Sequence, residues 1–182
     1  MEGNSLKSSI EVALKRAALF VLPQALLYRL WHLRRRSKPR TADSNAMGRR
    51  VITIQPDAWL EIYWTEAPLG RGPCVSMFVS REDVLRIDCL GGTAGHMHVN
   101  PVQIGLLVGW NTTPRIFFPP AESEVQVDRA VFEVTANAIG AIQTNQLARI
   151  RSFPLDQNGL AAAVAEMELG MRALIAEQAS AA

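Results

Sequence analysis

The chain has only two cysteines in 182 residues, Cys74 and Cys89. Two are too few for the disulfide framework of a small secreted domain, and they form no C-x-x-C pair. The expectation is a reducing, cytoplasmic setting with both thiols packed as small apolar groups. Histidine is equally sparse: His96 and His98 stand together, and His32 lies far upstream. Lysine ends at Lys38, after Lys7 and Lys15, so the rest of the chain relies on arginine for positive charge. Long apolar runs are missing as well. The stretch Ala17 to Leu22 is far short of the ~20 residues needed to span a bilayer. No A-x-A site follows it, and Arg34-Arg35-Arg36 stands where a cleavage region would be, which argues against a signal peptide. Absent too are G-x-S-x-G, H-E-x-x-H, a P-loop lysine and a pair of carboxylates with assignable catalytic roles. The acidic pairs Glu82-Asp83 and Glu166/Glu168 read as a turn and a wet helix face. The sequence thus leans away from an enzyme.

What is present describes a folded domain with an appendage. A hydrophobic fraction of 48% against 20% charged residues is globular, not disordered. The net charge of +2 conceals a split. Residues 1–46 hold nine Lys/Arg against three Asp/Glu, a net +6, and the remaining ten against fourteen leave residues 47–182 at −4. The basic character belongs to the arm, so nucleic acid is not an expected partner of the domain.

Residues 1–33 read as a basic amphipathic helix, with Leu6, Ile10, Leu14, Ala17 and Val21 on one face and Lys7, Glu11 and Lys15 on another. Pro23 should kink it. Residues 34–50 read as a basic linker, 51–178 as a single domain, and 179–182 as a tail. Three readings fit the arm: a helix on an anionic membrane surface through residues 5–36, a docking helix for a partner, or translation upstream of a true start at Met47.

From Val51 the pattern is β-like. Strands are expected at 51–54, 59–64, 74–80, 84–90 and 94–100, with a bulged sixth at 102–110 and a short one at 116–118. The period then changes to helical. Ser123 and Gln126 have capping-box spacing, and Val127, Val131, Val134 and Ala138 mark an apolar helix face. Residues 147–153 read as extended. Asp156 or Asn158 should cap a last helix with Leu160, Val164, Met167, Met171 and Leu174 inward. Strands followed by helices predict an α+β fold: an antiparallel sheet of five to seven strands with two helices on one face, plus the N-terminal helix.

The chemically capable side chains crowd into Asp88-Cys89-Leu90-Gly91-Gly92-Thr93-Ala94-Gly95-His96-Met97-His98. A hairpin closed by a five-residue loop, Gly91 to Gly95, would set Leu90 opposite His96, Asp88 opposite His98 and Arg86 opposite Asn100. Cys89, Ile87 and Leu85 would fall on the other, apolar face, so the pattern itself resists a one-residue slip. The expected polar face is solvated. Its residues Arg86, Asp88, His96, His98 and Asn100 form a candidate recognition surface for a protein or small ligand. The alternative is a metal centre, zinc foremost, at His96, His98 and Asp88: His-x-His on a strand points both imidazoles to one side. The glycine and His-x-His resemble the first cupin motif, but Pro101, Val102 and Gln103 fill the window of its glutamate and no second motif follows. No resident cofactor is expected outside the metal alternative. The glycine loop lies between strands and lacks a P-loop lysine, so it reads as a turn and not as a phosphate cradle.

The order of strands, hairpin and helices, with Asp-Cys-x-Gly…Gly-His-x-His, resembles bacterial domains of unknown function over roughly residues 51–175. The resemblance implies the fold and a bacterial type of protein, and no activity.

Overall fold

The computed structural model describes residues 46–101 and 115–181. The helix expected within 1–33 and the strand expected at 102–110 lie outside the described residues. Six antiparallel strands run in sequence order across one sheet: β1 (Met47–Gln55), β2 (Ala58–Ala67), β3 (Gly70–Val79), β4 (Glu82–Asp88), β5 (His96–Val99) and β6 (Ile116–Phe117). Three helices follow: α1 (Ser123–Gln143), the single turn α2 (Ala148–Arg151) and α3 (Gln157–Ala181). The architecture is therefore α+β. β1 begins at Met47, four residues inside the expected linker, because Met47 and Arg50 already pair with Trp64 and Ile62. Among the described residues no helix is long and apolar enough to cross a membrane.

Alternation along the strands separates two faces. One face carries Ile52, Ile54, Leu60, Ile62, Val75, Met77, Leu85, Ile87 and Met97, which meet Val127, Val134, Leu160, Val164, Met167 and Met171 of α1 and α3 in one core. The periodicity expected of both helices is the periodicity that is buried. Asp156 Oδ1 accepts from the Asn158 amide at 3.0 Å and caps α3, as its sequence suggests. The capping box at α1 does not form, since Glu122 is the cap and makes no side-chain bond. Gln126 instead points under the glycine loop. Its Oε1 accepts from the Gly91 amide at 2.9 Å, and its Nε2 donates to Gly92 O at 3.0 Å and Ala121 O at 3.1 Å. Residues 148–151 are helical where an extended segment was expected; Leu147 O accepts from both Ile150 and Arg151, closing a turn, and Ile150 enters the core.

The opposite sheet face is mixed. Trp59 stacks on Phe78 with ring centroids 5.2 Å apart. Glu61, Tyr63, Cys74, Ser76, Arg86, Asp88, His96 and His98 continue this face across β2 to β5.

Candidate functional site

A bulge decides which residues the site contains. The β3–β4 turn, Ser80-Arg81, has both residues at positive φ, 46° and 69°. It pairs Val79 with Glu82 and Phe78 with Asp83. The register then shifts by one, with Met77 opposite Leu85, so that Val84 is the extra residue of a β-bulge. Without that residue, Arg86 and Asp88 would turn toward the helices, because a one-residue slip exchanges the faces of a strand. With it, Ser76 faces Arg86, and Cys74 faces Asp88.

The β4–β5 hairpin differs from its expected form by two residues. Asp88 lies opposite His96, Arg86 opposite His98, Ile87 opposite Met97 and Leu85 opposite Val99. A two-residue shift keeps every side chain on its face, so the hydrophobic pattern alone does not tell the registers apart. What decides is the third strand. The Cys89 amide donates to Pro73 O at 2.9 Å, which draws Cys89 and Leu90 toward β3 and lengthens the loop. The close approach depends on Gly72, where a Cβ would stand 2.0 Å from the Cys89 carbonyl oxygen. Cys89 itself faces the core, its Sγ 3.3 Å from Gln126 O, on the face opposite the histidines as the alternation requires.

Three donor groups converge. The His96 Nε2 is 3.3 Å and the His98 Nε2 3.8 Å from the same Asp88 oxygen, Oδ2. One ligand atom from each of the three residues lies within 4.8 Å of the others. The other Asp88 oxygen, Oδ1, accepts from Arg86 Nε at 2.9 Å. The two imidazoles meet edge to face at 4.8 Å, and Phe117 of β6 covers His96 at 5.5 Å. The Arg86 guanidinium stands 6.0 Å from the centre of the Tyr63 ring.

This face is not the solvated surface that its polarity suggests. Asp88 is 4%, His96 2% and His98 7% exposed, and only Arg86 is half-buried. Burial alone would raise the Asp88 carboxyl; Arg86 first and His96 next hold it below its ordinary range, so it is a carboxylate. Burial also opposes the charge on Arg86, and Asp88 more than offsets it. Burial and then the Asp88 charge push the Cys74 thiol well up, and burial pushes Cys89 up.

Asn100 does not join the cluster. It follows β5 at φ 48° and turns to α1, where its Nδ2 donates to Ala141 O at 2.9 Å and its Oδ1 accepts from Asn145 at 2.6 Å. Its place in the expected recognition surface assumed that the strand runs on through Asn100, whereas β5 ends at Val99. Tyr63, Cys74 and Ser76 do border the cluster, from strands whose sequences read as core. Their only sequence signal is the alternation of Cys74 and Ser76 with Val75 and Met77.

No family model, curated protein or solved structure matches the chain.

Proposed function

We propose that this domain binds a divalent transition metal ion, zinc foremost, through Asp88, His96 and His98. One observation carries the reading. The His96 Nδ1 is 2.7 Å from the Ala94 carbonyl oxygen. A carbonyl only accepts, so Nδ1 carries a proton, and in the neutral tautomer that this contact selects the Nε2 lone pair faces the Asp88 carboxylate. Two acceptors facing each other at this distance call for a cation between them. A proton on His96 would satisfy that pair, but it engages only one of the two imidazoles whose Nε2 atoms approach Oδ2. A metal ion uses all three groups.

The spacings to Asp88 suit it. Ligand bonds of about 2.0–2.2 Å at tetrahedral angles put donor atoms roughly 3.3–3.6 Å apart. The two nitrogen–oxygen separations of 3.3 and 3.8 Å bracket that range; the three donor atoms span up to 4.8 Å, so the cluster would draw together around an ion. Ala94 also serves His96 as metal-ligating histidines are commonly served, by fixing the tautomer from behind. The nitrogen and oxygen donors suit zinc and its neighbours better than magnesium or calcium. A docking surface built on the same residues has less support, because three of them are almost fully covered.

Full-length protein purified without a histidine tag, loaded with zinc and desalted, should retain close to one equivalent by elemental analysis. His96→Ala with His98→Ala should abolish retention while the far-ultraviolet dichroism persists. Wild-type protein that keeps less than about a tenth of an equivalent after loading would sink the reading, since a buried site of this donor set binds tightly at neutral pH.

A further inference from the structure

We propose that Cys74 is the fourth protein ligand of this metal, which closes the site as an Asp/Cys/His/His centre. The inference rests on the metal reading above and adds to it the coordination state. Cys74 stands directly opposite Asp88 in the β3–β4 ladder, on the same face and fully buried. Opposed residues hold their Cβ atoms about 4.5–5.5 Å apart. Asp88 is thus flanked by Cys74 on one side and His96 on the other. The thiol's hydrogen bond in this structure is to Gly72 O, 3.8 Å away. The sulfur lies outside the three-atom cluster, so the proposal requires the side chain to turn toward Asp88, and Cα–Cβ is the bond about which a cysteine turns.

The neighbouring carboxylate on the same face is engaged elsewhere. Glu61 binds Arg49 at 2.6 Å and the Trp59 indole at 3.0 Å. Charge favours the thiolate too. A divalent ion with only Asp88 and two neutral imidazoles would carry one net positive charge in a covered site. A thiolate removes it, which matters where charge is poorly hydrated. The step balances simply: the S–H bond breaks, the sulfur pair goes to the metal, and the proton leaves to solvent. Four protein ligands leave no position for a reactive water, so such a centre holds structure or reports metal supply and does not hydrolyse a substrate.

Cobalt(II) chloride added to the reduced full-length chain tests this. The expected spectrum has visible ligand-field bands of a tetrahedral ion together with a near-ultraviolet thiolate-to-cobalt charge-transfer band. Cys89→Ser should keep that band. Cys74→Ser should lose it, retain one bound cobalt, and bind it more weakly by more than the roughly 10- to 100-fold typical of losing an outer-shell partner. Stoichiometric cobalt with no charge-transfer band in the wild type overturns Cys74 as a ligand and leaves the Asp/His/His site standing. No cobalt bound at all overturns both. The wild-type spectrum alone decides this if Cys74→Ser does not fold.

Discussion

Gln126 shows how much one side chain can organise. Its single carboxamide satisfies an amide of the glycine loop and two carbonyls, at Gly92 and Ala121, while only 1% exposed. A Cβ on Gly95 would come within 2.3 Å of it, so the loop is moulded to the side chain. Truncation leaves buried polar groups unpaired, at about 1–3 kcal/mol each when water does not replace the bond. Gln126→Ala should therefore lower unfolding stability by roughly 2–4 kcal/mol in urea titrations, whereas Gln143→Ala, exposed at the end of the same helix, should change it by less than about 0.5 kcal/mol. At sequence level Gln126 had the spacing of a capping residue. Its actual task was illegible there because the loop residues that it clamps come 34 and 35 residues earlier.

At the scale of strands, the joint between β3 and the end of β4 governs the site. Gly72→Ala would drive a Cβ into the Cys89 carbonyl, an overpacking that typically costs about 1–3 kcal/mol. The expected outcome is a loss at the upper end of that range. Relief requires the end of β4 to move, and Asp88 moves with it. Zinc affinity measured by competition with a chelator should consequently fall in Gly72→Ala even where the protein stays folded; unaltered affinity would contradict this link. The sequence revealed the faces of these strands but not their pairing. Alternation of Arg86 and Asp88 with Leu85 and Ile87 separates polar from apolar, and the separation survives a two-residue shift. The bulge at Val84 and the Ser80-Arg81 turn left no trace of that kind. Neither turn residue is the Gly or Asn that usually signals positive φ in a hairpin, and an extra valine looks like any other strand residue. The union of Cys74 with Asp88 was hidden for that reason. Burial of the polar face was equally illegible, because side-chain polarity predicts solvent only when nothing packs above it.

For the whole molecule, two responses follow. The first concerns alkali. Cys74, Cys89 and Tyr63 are all pushed above their ordinary values, in each case first by burial. A raised folded value means that the neutral group is favoured in the fold. The contribution is complete below the unfolded thiol value of 9.0 and is lost as pH rises toward the folded one. Stability should decline from about pH 9 upward by roughly 1.4 kcal/mol per pH unit for each ionising group. Urea midpoints between pH 8 and 10.5 measure this, and Cys89→Ala should make the decline shallower. The second response is to metal. An ion bound by the folded state alone raises stability by about 2.7 kcal/mol at one hundred times its dissociation constant. Thermal scans should show Tm climbing with free zinc in the wild type and staying level in His96→Ala with His98→Ala.

The sheet is a plain meander, each strand lying beside the next in the chain. Its consequence belongs to the order of synthesis. Asp88, His96 and His98, with Cys74 beside Asp88, sit on three successive strands, so one short contiguous stretch contains them all. A nascent chain completes that stretch before any residue of α1 has been made. Hairpin-by-hairpin pairing involves only short loop closures, which are quick. An ion could then be captured while the helical side of the sheet is still bare, and the metal would act as a staple for an early β-intermediate before it serves the finished domain.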